Sequence, residues 1–269
     1  MSYRKKHIKP HLKRLKPKKP LFKKPVFWLS TVFLFILVIF YFIIFSWFQI
    51  SKINISGNDK INTEDIEKIA NSVINKKIIP LSLFNINSRS IFLLNKKKIS
   101  DSIINNFPDI GQVNVTKKLP GSVEILIKER IQFSVFCNEN NECFSMDDNG
   151  VIYDNFLGEL QGNLILQKSN DYQAHNLGQN VIEKSIVNNI KDVKHSLKEN
   201  FQIEIQRVII SNYLQFKTLE GWSAYFDPAS DMKLQISKIN ALLNEEISEE
   251  KRKSLTYIYL QYKDRAYYK

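Results

Sequence analysis

Glycine is scarce in this chain, with eight in 269 residues. No glycine-rich phosphate loop can be found among them, which removes P-loop and dinucleotide-binding chemistry from consideration. Cysteine is rarer still, at two: Cys137 and Cys143. That is too few for a disulfide-dense scaffold, and no His or further Cys lies close enough to complete a zinc site. The four histidines are scattered. His7 and His11 precede the first apolar run, and His175 and His195 stand alone. His195 sits among Lys191, Lys194 and Lys198, and both it and His175 read as solvated surface. G-x-S-x-G and H-E-x-x-H are missing, and Cys137 has no base near it in sequence. The chain shows no internal repeat. We therefore expect no catalytic residue, no metal ligand and no cofactor.

Acid is also missing from one end. Residues 1–25 hold eleven Lys or Arg and no Asp or Glu. Residues 26–48 then carry no charged side chain, with Trp28 and Trp47 near the two ends. A bilayer core takes about 20 apolar residues in a helix, and interfacial aromatics collect at its rims. The run is long and aromatic, and Phe48-Gln49-Ile50-Ser51 offers no small-residue cleavage site, which disfavours a signal peptide. We read 26–48 as an uncleaved transmembrane helix. The basic flank marks the cytoplasmic side, so 49–269 face outward.

The formal charge of +12 is misleading as a single number. Eleven of the 39 bases lie in the tail, which leaves 28 against all 27 acids. The outward part is close to neutral. A basic tail beside a membrane span fits attraction to anionic lipid better than nucleic-acid binding. Pro10, Pro17, Pro20 and Pro25 oppose helix within it.

The outward part divides in two. The spacing over 49–130 predicts strand, helix, helix, strand, strand. Ile50, Ile53 and Ile55 form an extended run that ends at the turn Gly57-Asn58. Asn62 or Thr63 caps a helix whose stripe is Ile66, Ile69, Ala70 and Val73. A second helix is expected over 88–106, after Pro80 breaks the chain. Val113 and Val115, then Val123, Ile125 and Ile127, alternate as a hairpin around Lys118-Leu119-Pro120-Gly121.

Residues 131–269 read as short strands with two helices. One helix covers 181–199, and the other begins at Asp227-Pro228, taken as N-cap and first helical position. Cys137 and Cys143 flank a polar turn, where a disulfide is permitted outside the cytoplasm and two free thiols are the alternative. Asp147-Asp148 could mimic the acidic pair of an anchored glycosyltransferase, but Asn149-Gly150 follows at once and a hairpin turn explains it. A last strand is expected over 255–262. It is rich in tyrosine, a residue enriched at interfaces, and a terminal strand at a sheet edge can accept a partner strand.

In this order the sequence resembles the bacterial FtsQ/DivIB family of POTRA-domain cell-division proteins. The carrying residues are Phe48-x-Ile50-x-x-Ile53-x-Ile55-x-Gly57-Asn58, then Phe107-Pro108-x-Ile110-x-x-Val113-x-Val115-x-Lys117-x-x-Pro120, Ile127-x-Glu129-Arg130, and Asp148-x-Gly150-Val151-Ile152-Tyr153. Where the family commonly has Asp-Leu-Arg in its late strand, this chain has Tyr259-Leu260-Gln261. The resemblance implies an α+β architecture: tail 1–25, transmembrane helix 26–48, POTRA domain 49–130 (β-α-α-β-β) and a β domain 131–269 with an antiparallel sheet and flanking helices. It implies a non-enzymatic scaffold of the bacterial cell membrane at the division septum. Partners of FtsB and FtsL type are expected to bind by strand addition at Ile258, Leu260, Tyr262, Ala266, Tyr267 and Tyr268. Another single-pass POTRA adaptor, a chaperone for exported chains, or an envelope glycan enzyme is the competing expectation.

Overall fold

The computed structural model describes residues 25–44, 46–81 and 84–269, so the basic tail through residue 24 lies outside the described residues. Helix α1 (Pro25–Ile44) is followed by one 3-10 turn, Ser46–Phe48. The expected 23-residue span is not found as such: α1 stops at Ile44, and among the described residues no helix is long and apolar enough to cross a membrane. Residues 48 and 49 are already bonded to the first domain. The Phe48 carbonyl accepts the Ile91 N–H at 2.9 Å, and Gln49 bridges Ser90.

The first sheet has the order β1-β5-β4, from β1 (Lys52–Ser56), β4 (Ile110–Lys118) and β5 (Ser122–Glu129), with β1 parallel to β5. Helices α2 (Thr63–Ile74) and α3 (Lys96–Asn106) cover one face. Asn62 caps α2 by accepting the Glu64 N–H. Ile66, Ala70, Ile99 and Ile103 from the helices bury against Val113, Val115, Val123, Ile125 and Ile127 from the sheet. Each buried Ile or Val contributes about 1.5–3 kcal/mol.

One expectation fails between the helices. Strands β2 (Lys76–Leu81) and β3 (Phe84–Ser88) pair as a two-stranded ribbon, and α3 starts only at Lys96. Pro80 is tolerated because the ribbon stands apart from the main sheet, where a missing N–H interrupts no central ladder. Asn95 then caps α3 by accepting the Lys98 N–H.

The second sheet has nine strands in the order β14-β13-β12-β11-β10-β9-β6-β7-β8. They are β6 (Ser134–Cys137), β7 (Cys143–Met146), β8 (Ile152–Asn155), β9 (Ile165–Lys168), β10 (Ile205–Ile210), β11 (Leu214–Thr218), β12 (Ser223–Phe226), β13 (Tyr257–Tyr259) and β14 (Tyr267–Tyr268). The sheet is mixed, not antiparallel: β6–β9, β9–β10 and β12–β13 run parallel. Chain segments long enough to hold helices α4 (Lys184–Phe201) and α5 (Met232–Glu245) precede two of these strands, and such crossovers favour parallel pairing. Val187, Ile190, Val193 and Leu197 of α4 and Ile239 of α5 close one core with Phe136, Phe216, Trp222 and Phe226.

Asp227-Pro228 does not start α5. Asp231 does, accepting the N–H groups of Lys233 and Leu234. Asp227 instead holds a turn, accepting from the Ala229 N–H and the Ser230 hydroxyl. The buried Gln235 side chain fixes that turn from inside, bonding both the N–H and the carbonyl of Asp227. Gly57 (φ +84°) and Gly150 (φ +81°) take left-handed turns in which a Cβ would collide with the carbonyls of Ile127 and Ile182.

Arg130 joins the two sheets. Its backbone N–H donates to the Asp109 carbonyl at 2.7 Å and its Nε to the Pro108 carbonyl at 2.9 Å. Its Nη1 pairs with the Asp147 carboxylate, and both side chains are buried. The second oxygen of Asp147 accepts the Asn149 and Val151 N–H groups at 2.9 Å each. Burial pushes the nearby Asp109 carboxyl up, with Asp154 adding to the effect.

Beside Arg130, the Glu129 carboxylate accepts the N–H groups of Asp59, Lys60 and Ile61. Burial opposes its charge, but the three donors together outweigh this and hold its pKa below the ordinary 4.5. A lowered folded pKa stabilises above the unfolded value, and that stability is lost as pH falls through the folded one. Urea midpoints should therefore fall below about pH 4.5 in the parent and fall less steeply in Glu129→Gln. Identical pH profiles for the two would contradict this assignment.

Candidate partner-binding edge

The nine-stranded sheet ends differently on its two sides. On the β8 side, segment 178–182 occupies the edge. Gly178 N–H donates to the Ile152 carbonyl at 2.7 Å, Ile152 N–H donates to Gln179 at 3.1 Å, and Val151 bridges Asn180. The exposed Asp154 follows, and a charge there discourages strand addition.

On the other side, β14 pairs with β13 and its outer flank is open. Tyr257 and Lys269 exchange hydrogen bonds in both directions, at 3.3 and 3.2 Å. Antiparallel pairing alternates bonded and non-bonded positions. Tyr268, opposite Ile258, therefore occupies a non-bonded position, and its N–H and C=O point away from β13.

The expected strand over 255–262 is only Tyr257–Tyr259, and the outermost strand is β14 instead. Hydrogen bonds on the far side of Tyr259 are the reason. The Leu260 N–H donates to the Tyr225 carbonyl at 3.0 Å, inside the sheet. Lys238 Nζ of α5 then donates to the carbonyls of Tyr262 and Lys263, at 2.5 and 2.6 Å, where the chain turns back.

The six expected contact residues consequently separate. Ile258 and Leu260 lie in the core and are fully buried. Ala266 is half-buried against the same core. Tyr262, Tyr267 and Tyr268 are each close to half exposed, at 45, 47 and 46 %. Tyr262 meets Tyr267 edge-on with centroids 5.2 Å apart. Tyr225, Tyr259 and Tyr257 form a second row at 4.7 Å spacing. A proline at Leu260 would remove a bond internal to the sheet and so would test folding.

His175 is not at the surface, where the sequence places it. Its side chain is buried, with Nε2 2.8 Å from Asp171 and the ring edge-on to Phe136 and Phe144. The i−4 acid was the available signal in sequence. The pair lies against the β6–β7 hairpin, where Cys137 and Cys143 are joined by a disulfide. The buried Asn138 organises the tip, accepting from the N–H groups of Asn140 and Glu142. Among the described residues no His, Cys, Asp or Glu cluster could hold a metal ion.

Residues 71–130 match the POTRA domain of the FtsQ type, a stretch running from within α2 to Arg130. Among the chain's relatives, the cell division protein DivIB of Clostridium acetobutylicum is 34% identical over 106 residues, covering 39% of this chain and 36% of the relative. The DivIB of Clostridium botulinum strain Hall is 37% identical over 92 residues, covering 34% and 35%. The matched region spans about a third of the length of these relatives. Together the matches support the FtsQ/DivIB family, the one that the sequence resembles.

The Lys238 clamp makes a checkable statement. Lys238→Met should loosen the β13–β14 connection by about 1–2 kcal/mol. Amide exchange should accelerate in 257–268 and stay unchanged in β6–β10. Equal protection of 257–268 in both proteins would show that the clamp contributes nothing.

Proposed function

We propose that this chain is a non-enzymatic, membrane-anchored scaffold of bacterial cell division, which holds its partners by strand addition to β14. The supporting observation is the asymmetry of the nine-stranded sheet. One edge is covered at Ile152 and carries the exposed Asp154, while the other offers the outward N–H and C=O of Tyr268 between half-exposed tyrosines. Main-chain bonds would supply affinity and the tyrosines specificity. The likeness to DivIB proteins supports the division role.

The anchor would be 26–48, with the N-terminus cytoplasmic and the rest outside, as a type II protein at the septum. Charge-free α1 supports this. Confinement to a plane raises the effective concentration of other anchored proteins, so a modest contact suffices. We assign FtsB- and FtsL-type proteins as the partners. Tyr262, Ala266, Tyr267 and Tyr268 would form the contact, and Ile258 and Leu260 would hold the strand beneath it.

Tyr268→Pro deletes the outward N–H and leaves the bonds to β13 in place. The full chain carrying it should keep its circular dichroism and lose at least about tenfold in affinity for the outward segments of FtsB and FtsL. Undiminished binding by the folded variant would overturn the edge assignment.

A further inference from the structure

The first domain carries an apolar and basic face where α1 leads into it. Seven residues, 45–51, separate Ile44 from β1. Phe48 stacks on Phe92 at 5.1 Å, and the Ser51 N–H donates to the Gly121 carbonyl at 2.9 Å. Residues 91–93 and the 119–121 turn are therefore neighbours of the incoming chain. Both present large apolar side chains to solvent: Phe92 and Leu93 are 49% exposed and Leu119 65%.

Beside them stand Lys96, Lys97 and Lys98, all exposed and all in the first turn of α3. That turn holds no acid. Cations at a helix N-terminus oppose the helix dipole, so this placement costs α3 stability. A fourth lysine joins them, since Lys117 Nζ donates to the Phe92 carbonyl at 3.3 Å. Burial pushes the Lys117 ammonium down, and Lys96 repels it further. The cluster repels itself within the protein, and an external anion would relieve it.

We propose that this face, with Phe92, Leu93 and Leu119 ringed by Lys96, Lys97 and Lys98, docks onto the outer surface of the membrane that holds α1. The apolar side chains would enter the headgroup layer, and the lysines would meet anionic lipid phosphates. The surface is continuous with the anchor, and its charge is opposite to that of the lipid. Docking rests on the anchor reading above. It adds that the first domain lies against the bilayer, with its orientation fixed by lipid.

The test uses the full chain in nanodiscs of phosphatidylcholine, with and without phosphatidylglycerol. Cys137 and Cys143 are bonded to each other, so an introduced cysteine is the one site for a nitroxide label. Leu93→Cys and Leu119→Cys report the face. Leu157→Cys, 95% exposed on the second domain, gives the aqueous reference, and Val32→Cys in α1 reports insertion.

On anionic discs, labels at 93 and 119 should collide with an aqueous nickel chelate far less often than the label at 157. Adding Lys97→Gln should weaken docking about fivefold. If 93 and 119 collide as often as 157 while 32 is shielded, docking is wrong and the anchor stands. If 32 is also open to the chelate, both fall.

Discussion

Two backbone carbonyls and one carboxylate converge on Arg130, and the relation between the two sheets depends on that convergence. Its main chain ends the β5 side of the first domain, and its guanidinium reaches the turn between β7 and β8 in the second. A buried ion pair is weak grounds for overall stability, but breaking one by removing a partner typically costs 3–5 kcal/mol. Here the pair also receives two N–H donors on the far oxygen, which leaves little freedom in the Asp147 rotamer. The edge at β14 and the lysine face of α3 lie in different domains. Arg130 is bonded to groups of both.

Much of this was legible in the sequence where a single period ran without interruption. The stripe of Ile66 and Ala70 and the alternation of Val113, Val115, Val123, Ile125 and Ile127 point directly to the helix and hairpin of the first domain. Boundaries failed where a side chain elsewhere decided the matter. The start of α5 lies at Asp231 and not Asp227 because the buried Gln235 needs the Asp227 backbone. Residues 88–95 are lost to the second helix because Ile91 is bonded to Phe48, far away in sequence.

The candidate edge shows the same division. Alternation put Ile258, Leu260 and Tyr262 on one side; the first two are buried there, while Tyr262 is 45 % exposed. What the pattern could not carry was the reversal after Leu260, which depends on an ammonium from α5 and gives the outermost position to two residues. The burial of His175 is hidden for a related reason. A lone histidine in a polar stretch gives no sign that two phenylalanines from a hairpin will close over it.

The covered flank at β8 has a bearing on assembly. A sheet open at both ends can propagate, each added strand presenting a new edge and each molecule joining two neighbours. Here the β8 flank is covered at Ile152 by the chain's own residues 178–182 and then carries the exposed Asp154, so it is a poorer template for a further strand than β14. Copies held close together would then be discouraged from knitting themselves into a fibre.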